Sequence, residues 1–238
     1  MSAFNFIALG VALLPLISCQ PPYTDPPVEP LCPTMGKMDK YIIEDNVVRN
    51  LNRNARYLVL SGKQNNGPNG QMLPKAKYMN NLRWACKLEK QAITLLGTKC
   101  GYDEPKAPNG TTGVFFNMDI DWDEPDILTA MDSWTNEINE FAMQQVGKNE
   151  VRYRDPVIRN WLNLVRPDIT KIGCAEITCV ENGLNKYRAY CLVDKAPFKL
   201  GDVVYEAGNG GCKYGDSCPA GFKCDRLGLC KEIPKPKP

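Results

Sequence analysis

Three stretches of this chain carry residue types that could do chemistry. Asp119-Ile120-Asp121-Trp122-Asp123 sets three carboxylates at alternate positions, which is how a calcium-binding loop opens. An EF-hand also needs Gly at its sixth place and Glu at its twelfth, where this chain has Glu124 and Ala130. The run reads instead as an acidic lead-in to a helix, favoured by the positive end of the helix dipole. A glycosidase carboxylate pair would need a fixed separation, and nothing in these residues fixes one. Cys212-Lys213-Tyr214-Gly215-Asp216-Ser217-Cys218 would, if its cysteines pair, hold a loop presenting Lys213 and Asp216 beside a glycine turn. That cation and carboxylate suit a receptor contact; the plainer reading is a staple that stabilises by about 2–3 kcal/mol. Asn109-Gly110-Thr111 is the one glycosylation sequon.

One absence narrows the chemistry further. The 238 residues include no histidine, so Ser-His-Asp and Cys-His nucleophilic machinery in its usual form is excluded, as is a His-ligated zinc site. Lys and Arg number 29 against 27 acidic residues, a net charge of +2 that supplies no field for holding phosphate backbones, so no nucleic-acid partner is expected.

The cysteines set the compartment. Eleven of them point to a disulfide framework made outside the cytosol. Phe4 to Ile17 is apolar apart from Asn5, Gly10 and Pro15, and is shorter than the roughly 20 residues a membrane-crossing helix needs. It suits a secretory signal with Ser18 and Cys19 at the cleavage site, and the absence of a basic leader argues against a lipoprotein signal. Removal of residues 1–19 leaves Cys32, Cys86, Cys100, Cys174, Cys179, Cys191, Cys212, Cys218, Cys224 and Cys230, an even set that can pair completely. No later segment is apolar enough to span a membrane. The expected protein is secreted and extracellular.

The elements that must position these groups follow from periodicity. Residues 20–37 form a Pro-rich segment. Ile43, Val47, Leu51, Ala55 and Leu58 predict a helix from about Asp39, ended by Gly62. Lys63 to Gln71 reads as a loop. A second helix is predicted over Arg83 to Leu96, with Leu82, Ala85, Leu88, Ala92 and Leu95 inward. Val114 to Met118 reads as a strand. A third helix is expected from Asp123-Glu124-Pro125 through Phe141, and a fourth from Asp155-Pro156 to Pro167. Ile172–Val180 and Tyr187–Val193 read as strands joined by a turn at Asn182-Gly183, with Cys179 and Cys191 expected to face each other and bond. From residue 199 the chain has few core-sized side chains and four cysteines at six-residue steps, so cross-links must stand in for a core. The fold class is α+β.

Pro74-Lys75-Ala76-Lys77-Tyr78-Met79 followed by Leu82-Arg83-Trp84-Ala85-Cys86-Lys87-Leu88-Glu89 resembles the first-half signature of nematode CAP (SCP/TAPS) proteins, which include venom-allergen-like and hookworm Ancylostoma-secreted proteins. Trp134-Thr135-Asn136-Glu137-Ile138, Lys171-Ile172-Gly173-Cys174-Ala175, Tyr205-Glu206-Ala207-Gly208 and Gly228-Leu229-Cys230 follow in the matching order. The resemblance covers Cys32 to Cys230. It implies a three-layer α-β-α sandwich with a central antiparallel sheet over residues 38–198. A C-terminal Cys-rich hinge with a basic Pro/Lys tail would then occupy residues 199–238.

The resemblance also implies a central cleft with two His and two Glu able to hold a divalent metal. Counted along this chain, those positions fall on Glu104, Val114, Glu137 and Asn160, and the helix-one His-Asn pair on Asn52-Arg53. With the imidazoles gone, neither a metal nor any other cofactor is expected, and Glu137 reads as a structural acceptor for neighbouring backbone groups rather than a catalytic acid with Glu104 as base. The resemblance then implies a non-enzymatic effector binding a host or other extracellular protein receptor, such as a platelet or immune integrin met by Lys213 and Asp216. Exposed aromatics Trp122, Tyr102 and Phe116 are further contact candidates. The alternative that the resemblance also implies is an extracellular sterol or fatty-acid carrier, its groove lined by Val114 and the aromatics.

Overall fold

A computed structural model describes residues 29–33, 36, 38–121 and 124–234. The signal segment, most of the Pro-rich stretch, Trp122, Asp123 and the last four residues of the tail lie outside them.

The first helix, α1 (residues 40–61), buries Ile43, Val47, Leu51, Ala55 and Val59 at every fourth position. That step is slightly longer than the 3.6 residues of an ordinary turn, and the helix is wound wide over Ile42–Arg49 and Leu51–Arg56 before tightening over Tyr57–Ser61. Gly62 ends it at φ 68°, the left-handed conformation that glycine adopts without penalty. The following segment is not wholly loop: Asn65–Asn66 (β1) and Gln71–Met72 (β2) pair as a small hairpin.

Arg83–Trp84 (β3) is extended, so α2 starts later than its pattern suggests, at Cys86–Leu96. Parallel pairing of Arg83 with Lys171 and Trp84 with Ile172 wins over helix propensity there. Leu88, Ala92 and Leu96 face inward; Leu96 rather than Leu95 is the fully buried last member. Strand β4 is Thr112–Asp119. Helix α3, Ile127–Glu140, begins after Asp126, so Glu124 and Pro125 precede it, and Asp123 lies outside the described residues. The Asp126 carboxylate accepts from Leu128 N and Thr129 N while Thr129 Oγ1 accepts from Asp126 N, a reciprocal cap that satisfies the orphan N–H groups of the first turn.

Glu150–Arg152 (β5) precedes the fourth helical region. Asp155 caps a single tight turn, Pro156–Ile158, and the regular helix α4 is Arg159–Val165. Lys171–Glu181 (β6) and Leu184–Val193 (β7) form the expected hairpin, and Asn182 and Gly183 both take positive φ (53° and 80°) as its two-residue turn. Val203–Glu206 (β8) pairs with β5, and Phe222–Cys224 (β9) pairs with Cys230–Glu232 (β10).

The central sheet has the order β3-β6-β7-β4, antiparallel except for the short β3 edge. Helix α2 packs on one face through Leu88, Ala92 and Leu96 against Ala175, Tyr190 and Leu192. The larger core on the other face joins α1, α3 and α4 through residues such as Val47, Trp134, Trp161 and Leu162 to Val114, Cys174 and Tyr187 of the sheet. Helices on both faces of one sheet make the three-layer α-β-α sandwich expected from the sequence.

Two side-chain features hold the layers at fixed distances. Gly173 lets the backbone of α2 rest against β6: a Cβ there would stand 2.2 Å from Glu89 N. Arg56 is wholly buried in the opposite layer and donates to Asn80 O (3.0 and 2.7 Å), Leu164 O (2.7 Å) and Arg166 O (3.0 Å). Its guanidinium faces the carbonyl end of α4, where the helix dipole favours a cation. Burial nevertheless depresses its pKa to about 9.

The cysteine pairing corrects the sequence expectation. Cys179 bonds to Cys100 and Cys191 to Cys174, not to each other. Cys174 stands directly opposite Cys191 in the sheet register, whereas Cys179 stands opposite Lys186. Cys32–Cys86 fastens the N-terminal segment to the start of α2. In the C-terminal module the links are Cys212–Cys224 and Cys218–Cys230, so a loop closed by Cys212 and Cys218 does not form. That module is docked, not loose: Cys230 N donates to Met79 O at 2.8 Å, Asn81 N to Cys230 O at 2.8 Å, and Asn81 Nδ2 to Asp225 at 2.7 Å.

Candidate functional site

The C-terminal half of α3 and the first turn of α4 bring the cleft residues together. Glu137 lies on the half-buried side of α3, one residue before the core-facing Ile138. Its Oε1 accepts from Asn160 Nδ2 at 2.7 Å, and its Oε2 accepts from the backbone N–H of Trp161 at 2.8 Å. The carboxylate thus satisfies an N–H that the start of α4 would otherwise leave without a partner. Burial raises the Glu137 pKa, against the lowering effect of the Trp161 and Asn160 hydrogen bonds. Asn160 Oδ1 and the Trp161 indole N–H are buried without hydrogen-bond partners.

Glu104, on the loop before β4, pairs with Arg159 at 2.6 Å. Arg159 is the residue that sequence reasoning missed; its position directly before Asn160 was the available signal, since a cation there meets a carboxylate assigned to the same cleft. Val114 is fully buried in the sheet's larger core, so it lines no open groove. Phe116 is partly buried and packs on Tyr187 with ring centroids 6.2 Å apart. Tyr102 is 57% exposed, yet its hydroxyl donates to Asp119 at 3.1 Å and Lys186 Nζ sits 3.5 Å from its ring centre. Asn52 is buried and exchanges hydrogen bonds with the Leu82 backbone, while Arg53 is exposed.

The donor set fits a divalent metal poorly. Of the four cleft positions one is an aliphatic core residue, one an amide already bonded to Glu137, and one a carboxylate paired with a guanidinium. Among the described residues, the groups of three potential ligands elsewhere are Cys212, Cys218 and Cys230, and Cys32, Cys86 and Glu89. Their sulfurs are tied up in disulfides and offer no thiolate.

The candidate receptor loop is also folded on itself. Asp216 accepts from Asn209 N (2.7 Å), Gly211 N (3.2 Å) and Asn209 Nδ2 (3.3 Å), which braces the turn before Cys212. Lys213 is exposed but its ammonium donates to Arg226 O. Asn109 is exposed on a turn where Thr111 N and Oγ1 both donate to Pro108 O, at 3.0 and 2.7 Å.

A three-layer sandwich carrying this cleft and a disulfide-braced C-terminal module defines a family: residues 46–193 match CAP, the Cysteine-rich secretory protein family, and the chain belongs to it. Among solved structures it is similar to BmVAL-1, at 26% identity over 85% of this chain and 98% of that one, with a TM-score of 0.68. It is also similar to Na-ASP-1, at 22% identity and TM-score 0.66 over 86% of this chain but only 50% of that one. The hookworm platelet inhibitor matches at 20% identity and TM-score 0.56, covering 86% of this chain and 98% of the other. These last two likenesses show a shared fold. No curated protein matches the chain in sequence.

Proposed function

We propose that the protein is an exported, non-catalytic CAP-domain effector that works by binding a host or other extracellular protein. In this reading residues 1–19 direct export, residues 38–198 form the CAP domain, and residues 199–238 form the hinge module and tail. The observation that carries it is the engagement of both cleft carboxylates. Glu137 is held by Asn160 and Trp161 N, and Glu104 by Arg159, so neither carboxylate stands ready to move a proton or hold a cation. No histidine is available to serve instead. A rigid sandwich with exposed loops is suited to presenting contacts.

The named effect of the hookworm platelet inhibitor, a protein of the same fold, makes platelet receptors the first partners to test. Asp216 and Lys213 are engaged within the module, so in this reading a receptor would meet other exposed residues, with the aromatics Tyr102 and Tyr214 as candidates. Carriage of a sterol or fatty acid is the weaker reading. The apolar cavity between α2 and β6 holds about 170 Å³, below the roughly 300 Å³ at which ligand pockets begin, and Val114, expected to line a groove, is buried in the core.

The test is surface-plasmon binding of the purified, oxidised protein to purified platelet integrins. It is joined by cross-linking capture from intact platelets with a reduced, unfolded control. Saturable binding by the oxidised form alone supports the reading. Turnover of a defined substrate that stops on Glu137→Gln replaces it with an enzymatic one.

A further inference from the structure

We infer that Asn109 carries an N-linked glycan whose first sugars lie in the groove beside it, against Trp84, instead of projecting into solvent. Asn109 is itself part of the wall of a groove of about 630 Å³ that runs between its turn and the start of α2. The turn is well fixed, with Gly110 at φ 80° and both Thr111 donors on Pro108 O, so the amide that would bear the sugar stays at the groove's rim.

The opposite wall has the chemistry of a sugar site. Trp84 is half-buried, and its indole N–H is turned inward to Glu89 at 2.7 Å, which fixes the ring. An aromatic surface packs against the C–H face of a pyranose, while polar neighbours meet its hydroxyl and acetamido groups; Lys87 and Gln91 on the first turns of α2 supply those donors. Asp194, at the groove's far end, is already engaged by Thr170 N, Thr170 Oγ1 and Lys171 N and takes no part. The volume falls within the range of about 300–1,000 Å³ typical of ligand sites.

Attachment depends on passage through the secretory pathway and so rests on the export part of the reading above. The experiment separates the two. The full chain is expressed in glycosylating eukaryotic cells and recovered from the medium; failure to reach the medium speaks against export, not against the groove. Intact mass then reports whether Asn109 is modified. Glycan release by an amidase is timed on native protein and normalised to the denatured chain. The comparison is a variant carrying Asn109→Gln and Leu184→Thr, which places the same Asn-Gly-Thr triplet at Asn182 on the β6–β7 turn. A Cβ at Gly183 of that turn would meet nothing within 4 Å. We expect native release at Asn109 about tenfold slower than at Asn182, as for a seated form that outnumbers the free one roughly ten to one. Lys87→Ala with Gln91→Ala should speed release at Asn109 and leave Asn182 unchanged. An unmodified Asn109 in secreted protein, or equal release rates at the two sites, overturns the inference.

Discussion

The side-chain amide of Asn160 donates to Glu137 at 2.7 Å, tying α3 to the first turn of α4. This contact fills with a neutral donor the place where a second charge would have to be balanced. Asn160→Asp should therefore set two carboxylates against each other and force one to keep a proton. We expect a loss of about 1–3 kcal/mol at neutral pH, recovered on acidification, in urea unfolding followed by tryptophan fluorescence.

The pH dependence of stability has a defined sign. Burial raises the pKa of Glu137, and also that of Glu176, which accepts from Tyr187 Oη at 2.6 Å, above the ordinary 4.5. Between 4.5 and the raised folded values the native state holds more protons than the unfolded chain, so stability rises as pH falls through that window. The contribution is complete below the unfolded value and lost as pH rises through the folded ones. The double variant Glu137→Gln/Glu176→Gln should flatten this slope in denaturant midpoints taken across the acidic range.

Arg56 closes three backbone carbonyls that no water can reach. Arg56→Met keeps most of the volume but orphans Asn80 O, Leu164 O and Arg166 O. A cost of about 3 kcal/mol or more is expected, visible as a lower melting temperature. Arg56→Lys should recover only part of it, because an ammonium cannot reproduce the planar fork.

Gly173→Ala is expected to be more damaging than its single methyl suggests. The added carbon would meet the α2 backbone at Glu89 N, which cannot move without unseating Leu88 and the Trp84–Glu89 hydrogen bond. A loss of about 1–3 kcal/mol, or failure to secrete, should follow, with the strongest hydrogen-exchange change in α2.

The disulfides differ in reach. Cys100–Cys179 spans 79 residues and Cys174–Cys191 only 17. In the chain-entropy account, paired Cys→Ala replacements should cost about 4.5 kcal/mol for the first and about 3 kcal/mol for the second. Partial proteolysis with mass spectrometry under non-reducing conditions should recover both bonds and no Cys179–Cys191 peptide.

The Cys174–Cys191 pairing is encoded in the turn between its strands. Asn182-Gly183 announced a two-residue turn, and such a turn pairs Glu181 with Leu184. Counting outward from it places Cys174, not Cys179, opposite Cys191, so the register was present in the residues once the turn type was taken at full value. Helix α1 was legible because its apolar stripe is long and regular. The start of α2 was not, because Arg83 and Trp84 look helical locally and become a strand only through pairing with Lys171 and Ile172, far away in the chain. In the cleft, Glu137's role as a backbone acceptor was legible only through the family resemblance, and the Trp161 N–H is the donor it meets. Arg159's grip on Glu104 needed the fold to bring a loop and a helix together. In the hinge, equal six-residue spacing of four cysteines carries no pairing information, and strand register supplies none either: Cys224 stands opposite Cys230 across β9–β10, yet the two bond to Cys212 and Cys218.

The crossed bonds Cys212–Cys224 and Cys218–Cys230 give the C-terminal module a property beyond stability. A protease that cuts the chain once anywhere between Cys212 and Cys230 leaves two fragments still covalently joined. Nicking within the module would thus alter the molecule's termini without shedding any of it, and detachment would wait for a reductant.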